Sequence, residues 1–283
     1  MTRKVVLVTG ASSGFGLHMC VAFARKGYQV IASMRNVQAS DRLLQAARQA
    51  DVEAAISCVQ LDVTRDDDIE RAMRDIRQLS PRIDVLVNNA GYAIGGMAED
   101  VPLEAWRQIM DTNFMGAIRM TQAVLPIMRQ QGGGTILMIS SVSGRIGIPG
   151  YAPYCASKFA LEGYSESIRH ELRPLGIKVI LIEPGAFKTS IWDKGFEQVS
   201  ALPSSHSQEL LDAMLNYSRK VAQSAPPPEQ AVRAIVRIAQ KKSPSLRYAL
   251  GGGANVMLFG KSLIPWKWFE RALAFALSPK KRT

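Results

Sequence analysis

Residues 4–9 form a short apolar run that ends in Thr9-Gly10-Ala11-Ser12-Ser13-Gly14-Phe15-Gly16, and an amphipathic stretch follows over 14–26. No other feature restricts the fold as much. A continuous apolar run fits a strand buried on both faces of a parallel sheet. Glycines at its end allow a tight turn and close approach of backbone to a phosphate. The first N–H groups of the following helix then point at that anion. Such a turn by itself is often only a loop. The strand before it, the helix after it and a second strand at 29–34 give the nucleotide-site reading its weight.

The alternation continues. A charged helix is predicted over 39–50 and a third strand over 54–61, ending at Asp62-Val63. A fourth strand over 83–87 ends in Asn88-Asn89-Ala90-Gly91, and a fifth over 135–139 ends in Ser140-Ser141. A helix over 151–172 leads to a sixth strand over 178–182, which ends in Glu183-Pro184-Gly185-Ala186-Phe187-Lys188-Thr189. A helix over 229–240 and a strand over 246–250 close the pattern. Strand and helix alternating from 4 to 250 predict one α/β domain, a parallel sheet covered on both faces. Residues 190–225 read as a helical lid within that domain, and 251–283 as a C-terminal extension.

Composition adds bounds. The 283 residues, 47% of them hydrophobic, supply one large core. No apolar run reaches the roughly 18 residues of a membrane span. Met1-Thr2-Arg3-Lys4 leads straight into the first strand, so no signal peptide is expected. Cys20, Cys58 and Cys155 are odd in number and scattered, which favours a reducing, cytoplasmic compartment. His18, His170 and His206 show no ligand spacing, so no metal site is expected. The net charge of +11 fits either an anionic surface partner or an enzyme with many exposed Arg and Lys. The basic residues are spread out apart from Lys280-Lys281-Arg282, so the enzyme reading is preferred, with no nucleic-acid partner.

The candidate chemistry sits at strand ends and on one helix. Tyr154 and Lys158 are four residues apart and share a helix face. A phenol beside a fixed ammonium is expected to have its pKa lowered from about 10. Ser141, from the fifth strand's end, could bond the same substrate oxygen. Asn113 falls inside a long helical stretch over 103–128, either exposed on its surface or at a local break where its amide binds water or a carbonyl. The second strand ends Ala32-Ser33-Met34-Arg35-Asn36, with no acid to hold a ribose hydroxyl. Arg35 there would welcome a 2′-phosphate, which favours NADP(H) over NAD(H). Asp62 reads either as a ligand contact at a strand end or as the cap of a helix near 66; the roles are compatible.

Together, Thr9 to Gly16, Asp62, the Asn88-Asn89-Ala90-Gly91 run, Asn113, Ser141, Tyr154-x-x-x-Lys158, Pro184-Gly185 and Thr189 resemble the short-chain dehydrogenase/reductase family over 4–250. The resemblance implies a Rossmann-type doubly wound parallel sheet of about seven strands that binds NAD(P)(H). It places Gly10, Gly14 and Gly16 along the cofactor, Asp62 at adenine, Asn89 near the adenosine ribose and Thr189 at the nicotinamide amide. Ser12, Ser13, Phe15, Val63, Ala90, Gly91, Pro184, Gly185 and Phe187 complete the cofactor candidates. It also gives Lys158 the nicotinamide ribose and Asn113 a water that passes protons to Lys158. Arg35 resembles the NADP(H)-preferring pattern, and residues 32–35 with the long C-terminus resemble the hydroxysteroid/retinol dehydrogenase branch. The implied reaction interconverts a carbonyl and an alcohol with Tyr154 as acid/base. The implied assembly is a homodimer or homotetramer through the helices carrying Asn113 and Tyr154.

The substrate pocket is expected between the loop after Ser141, the segment after Gly185 and the C-terminal stretch. Ile148, Tyr151, Phe187, Ile191, Trp192 and Phe196 would line it beside Ser141 and Tyr154, which suits an apolar alcohol, ketone or aldehyde. The last stretch, 251–283, contains Ile264-Pro265-Trp266-Lys267-Trp268-Phe269, then Leu273, Ala274, Phe275, Leu277 and a basic end, and resembles an amphipathic interfacial helix with aromatic anchors and a cationic flank, giving peripheral membrane contact. It equally suits packing over the pocket or at a subunit interface. The rival function is a non-catalytic NADP(H) sensor or scaffold on the same fold, and the presence of Ser141, Tyr154 and Lys158 together weighs against it.

Overall fold

Seven parallel strands in the order β3-β2-β1-β4-β5-β6-β7 form the centre of the computed structural model, which describes residues 3–189 and 208–277. The strands are β1 Val5–Thr9, β2 Gln29–Met34, β3 Ile56–Gln60, β4 Val85–Asn88, β5 Gly134–Ile139, β6 Ile177–Pro184 and β7 Arg247–Leu250. Each matches an expected strand to within about two residues, the usual scatter of element ends. All residues of β1 and β4 are buried, which accounts for their unbroken apolar runs. Their side chains point alternately into two cores. Leu7, Leu86, Ile136 and Val179 belong to one, and Val8, Val87, Leu137 and Ile180 to the other. Truncating a side chain as enclosed as Leu86 costs roughly 2–5 kcal/mol.

Helices cover both faces. On one side lie α1 Gly14–Arg25, α2 Asp41–Gln49 and, later in the chain, the helix Glu229–Ala239. On the other lie α3 Asp66–Leu79, α4 Leu103–Met110, α5 Gly116–Gln130 and α6 Ala152–Leu172. The strand order reverses between β1 and β4, so their carboxyl ends diverge into a crevice, the place where such sheets bind ligands.

Between α4 and α5 the chain makes one wide π-turn, Asp111–Met115. Asn113 sits in it and is 2% exposed. The local break is therefore the correct alternative of the two. Turns of this kind recur at functional sites.

Of the stretch 190–225, the described part is α7 Gln208–Ser224, with Leu211 and Met214 buried. Met214 packs so closely on Gly150 that a Cβ there would overlap its sulfur. With Glu229–Ala239 as α8, the C-terminal stretch forms two helices, α9 Ala254–Leu263 and α10 Trp266–Leu277. The single interfacial helix suggested by the sequence is thus split, because Pro265 has no N–H with which to continue α9.

Candidate active site

The β1–α1 turn is shaped by glycine. Gly10 and Gly14 have φ of 66° and 55°, a region that side chains disfavour. A Cβ on Gly16 would overlap the Gly10 carbonyl. Ser13 is the N-cap of α1 but makes no side-chain capping bond, and the first turn holds no acid. Its N–H groups and the helix dipole thus face an anion without a competing carboxylate. The residues present fit a dinucleotide.

Asn89 locks this turn to β4. Its Nδ2 donates to the carbonyls of Thr9 (2.8 Å) and Gly10 (3.1 Å). Thr9 Oγ1 accepts from the N–H groups of Asn89 and Ala90, both at 3.0 Å. Asp62 Oδ1 accepts from Thr64 N and Oγ1, and Asp68 reaches back to Asp62 N. Asp62 therefore folds its own turn, and the N-cap of α3 is Arg65. Val63 is buried against Gly116, where a Cβ would lie 2.7 Å from Val63 Cγ2. Arg35 is exposed just past the end of β2, on the carboxyl-end side of the sheet. Phe15 and Phe187 meet edge to face with ring centres 5.5 Å apart, which ties the glycine turn to the segment after β6. Gly185 N–H donates to Leu250 O at 2.8 Å, and Thr189 is half-buried at the end of the described segment.

Tyr154, Lys158 and Ser141 converge. Ser141 is 8% exposed; its Oγ accepts from Ser143 N (3.1 Å), donates to Pro184 O at 3.5 Å and lies near enough to the Tyr154 phenol to favour its ionised form. Lys158 is 5% exposed, and its Nζ lies 5.7 Å from the centre of the Tyr154 ring. That ammonium donates to Ile139 O at 2.8 Å. Gly91 forms the floor: a Cβ there would lie 2.9 Å from Asn113 Oδ1 and 3.8 Å from Lys158 Nζ. Asn113 grips Tyr92, accepting from its N–H (3.0 Å) and donating to its carbonyl (2.9 Å), and also donates to Ser157 Oγ at 3.0 Å.

One expectation is corrected here. The spacing predicts that Lys158 lowers the Tyr154 pKa, but burial pushes Tyr154 up to about 12, against the pull of the Ser141 hydrogen bond. Burial also brings Lys158 down to about 8, opposed by the charge of Glu162. Desolvation outweighs the pairing because Nζ lies under the ring and is turned to a main-chain carbonyl. The phenol is consequently held in its proton-donating form.

Among the substrate candidates, Ile148 lines a cavity of about 400 Å³ together with Pro149, Cys155, Trp266 and Phe269. Ser141 and Tyr154 do not line it, so this cavity lies beside the reacting groups, not over them. Trp266 and Phe269 of the C-terminal stretch contribute to the wall of this neighbouring cavity. The Tyr151 hydroxyl donates to Ser218 Oγ (3.1 Å), fastening the loop to α7. Phe187 is 3% exposed and packs on Phe15. Ile191, Trp192 and Phe196 lie outside the described residues. The wall next to the phenol is not among the residues expected from sequence: Tyr154 packs with Ile94, Val101, Ile109, Tyr92 and Trp106. The available signal was the position of 92–101 just after a strand's carboxyl end.

The fold and the Ser141–Tyr154–Lys158 constellation define a dinucleotide-dependent oxidoreductase scaffold, and similarity to known proteins agrees. The short chain dehydrogenase family model matches residues 4–200. The chain belongs to the short-chain dehydrogenase/reductase family, in its hydroxysteroid/retinol dehydrogenase-like branch. It is 41% identical over 276 residues to the uncharacterized oxidoreductase YusZ of Bacillus subtilis, covering 96% of this chain and 98% of that protein. It is 38% identical to human 17-beta-hydroxysteroid dehydrogenase type 1 (88% and 77% covered) and 38% identical to human retinol dehydrogenase 8 (86% and 80%). A short-chain dehydrogenase structure from Streptomyces avermitilis superimposes with a TM-score of 0.80 at 34% identity, covering 96% and 98% of the chains. An actinorhodin polyketide ketoreductase solved with NADPH gives 0.76 at 27% identity, covering 89% and 97%.

Proposed function

We propose that this protein interconverts a carbonyl and an alcohol on an apolar substrate with NADP(H), Tyr154 serving as the acid/base. The observation that carries this reading is the Tyr154 phenol with the Ser141 hydroxyl near enough to act on its proton and the buried Lys158 ammonium 5.7 Å from its ring centre, at the crevice of the glycine turn. A bound nicotinamide supplies or accepts the hydride. In reduction Tyr154 donates its proton to the carbonyl oxygen; in oxidation it takes the hydroxyl proton. Ser141 orients that oxygen and stabilises charge as it develops. Lys158 favours the phenolate left after proton transfer. Asn113 orders the proton path to Lys158 through the main chain it grips at Tyr92.

Arg35 supports NADP(H), with Asp62, Thr189 and the glycine turn as further contacts. The relatives named for hydroxysteroids and retinol support a steroid, a retinoid, or a long-chain or aromatic ketone or aldehyde. The apolar wall from Ile94 to Ile109 beside the phenol suits such a molecule. The assembly we propose is a homodimer or homotetramer through α5 and α6, in the cytoplasm. The outward side of α9 and α10 exposes Val256, Phe259, Leu263 and Trp268 beside Lys267 and Arg271, which supports peripheral contact with an anionic membrane.

The test is a panel of steroids, retinoids, aliphatic aldehydes and aromatic ketones with NADPH, run on the protein and on Tyr154→Phe. We expect turnover of at least one class and a loss of roughly 10²–10⁴ in kcat for the variant, with NADPH binding retained. Undiminished turnover in Tyr154→Phe would exclude the acid/base role. Tight NADPH binding with no carbonyl reduced would favour the sensor reading.

A further inference from the structure

A buried charge cluster lies behind Lys158, and the reaction described above does not use it. Glu162 and Glu183 are 4% and 1% exposed. Arg247, on β7, places Nε 3.0 Å from Glu162 Oε2 and 3.3 Å from Glu183 Oε1, and Nη2 3.1 Å from Glu166 Oε2. Arg145, just after the turn Val142–Gly144, places Nη1 3.3 Å from Glu183 Oε1. Four separate elements thus bring charges around two buried carboxylates, with Arg145, Arg247 and Glu166 reaching them from the partly exposed side. Stability is a weak reason for such a cluster, since apolar replacements of buried ion pairs are often as stable.

Its position suggests another reason. Glu162 follows Lys158 by one turn on the same face of α6. The two are packed around Gly144, where a Cβ would lie 3.0 Å from Glu162 Cγ and 3.1 Å from Lys158 O. Glu162 Oε2 is held by Arg247, while Oε1 is buried with no hydrogen-bond partner. The Lys158 ammonium has its own hydrogen bond to a neutral carbonyl. The other groups around the pair are Tyr154, Cys155 and Glu166 on α6, Asn113 on the π-turn, Ser140 and Ser141 after β5, Glu183 on β6, and Arg145 and Arg247.

We propose that Glu162 is a positioning residue: its carboxylate, clamped by Arg247 beside Glu183, is the fixed counter-charge that keeps Lys158 an ammonium in a dry site. This rests on reading Lys158 as the partner of Tyr154. The balance of burial and charge around the pair agrees. Burial lowers Lys158 and Glu162 is the group that opposes the fall. Glu183 is raised by burial and by the charge of Glu162, so the two carboxyls compete for the same guanidinium, and Arg145 relieves Glu183 from its other side.

The experiment follows the ¹³Cε resonances of labelled lysines against pH in the protein without cofactor or substrate. Lys158 is assigned by the signal missing in Lys158→Met. Glu162→Gln should lower the Lys158 midpoint by about one unit, a tenfold loss of proton affinity. A midpoint that stays in place in a folded variant overturns the proposal and leaves the cluster structural. If Glu162→Gln does not fold, Glu162→Asp keeps the charge but withdraws it by one methylene; a smaller downward shift supports the proposal and no shift overturns it. With NADPH and a turned-over carbonyl, the alkaline limb of kcat should move to lower pH with Lys158, and a change in KM alone with an unmoved limb would also overturn it. The lysine titration needs neither cofactor nor turnover. An inactive wild type would therefore sink the proposed function and leave the titration as an independent measure of what Glu162 does.

Discussion

Asn113 holds both main-chain polar groups of Tyr92, with its Oδ1 3.0 Å from Tyr92 N and its Nδ2 2.9 Å from Tyr92 O. A side-chain amide here takes the place of a strand neighbour for a loop that has none. The π-turn of 111–115 brings Asn113 inward, and the grip fixes Gly91 and Tyr92 beneath Lys158.

Asn113→Ala should therefore destabilise the protein by roughly 2–4 kcal/mol, because the Tyr92 N–H and carbonyl lose their partner in a largely enclosed place. Urea unfolding monitored by circular dichroism measures this. A change below about 0.5 kcal/mol would mean that the loop finds other partners.

Lys158→Met should make the protein without cofactor more stable at neutral pH while removing activity. Lys158 falls from 10.5 to about 8 on folding, so the folded state is penalised by roughly 3 kcal/mol where both states carry the proton, below about pH 8. Between about pH 8 and 10.5 the unfolded chain holds a proton that the folded chain has released. Stability of the unmutated protein then rises with pH, and the advantage of the variant shrinks. Thermal melts at pH 7 and pH 10 test both the sign and the window.

Arg35→Ala should reduce the preference for NADPH over NADH about 10- to 100-fold in kcat/KM, since a charge-assisted contact to a phosphate is lost. Little change is expected in kcat. Equal kcat/KM for the two cofactors in the unmutated protein would contradict the assignment of Arg35.

The outward face of α9 and α10 makes a separate prediction. Full-length protein should co-sediment with vesicles containing anionic lipid, and Phe259→Ser/Leu263→Ser/Trp268→Ser should remain in the supernatant with an unchanged melting temperature. These side chains are 67%, 66% and 65% exposed, so their loss removes no core packing. Failure of the unmutated protein to sediment would leave the face to a second copy of the chain, which dilution of an oligomer would reveal.

Much of this protein is legible along the chain because its signals are local. Strands buried on both faces need unbroken apolar runs, and their order with intervening helices leaves little choice of sheet. The glycine turn announces itself because only glycine fits at φ near 60° or where a Cβ would strike the Gly10 carbonyl. Tyr154 and Lys158 share a face through helix periodicity alone, and Ser141 follows a strand end. Other features depend on groups distant in sequence. Asn113 can be placed only with Tyr92 and Ser157 around it. The wall of Ile94, Val101 and Ile109 beside the phenol arises where a loop folds back on α6. The protonation of Tyr154 runs against the expectation from spacing, which reveals a neighbouring charge but not the loss of water, and here desolvation is the larger effect. The partnership of Glu162 with Arg247, 85 residues away, likewise exists only when β6, β7 and α6 are packed together. The sequence by itself determined the sheet, the nucleotide turn and the candidate trio Ser141, Tyr154 and Lys158, from a strand end and a helix repeat that are each local. Tertiary structure alone decided which charges are buried, and burial governs how Tyr154 and Lys158 hold their protons.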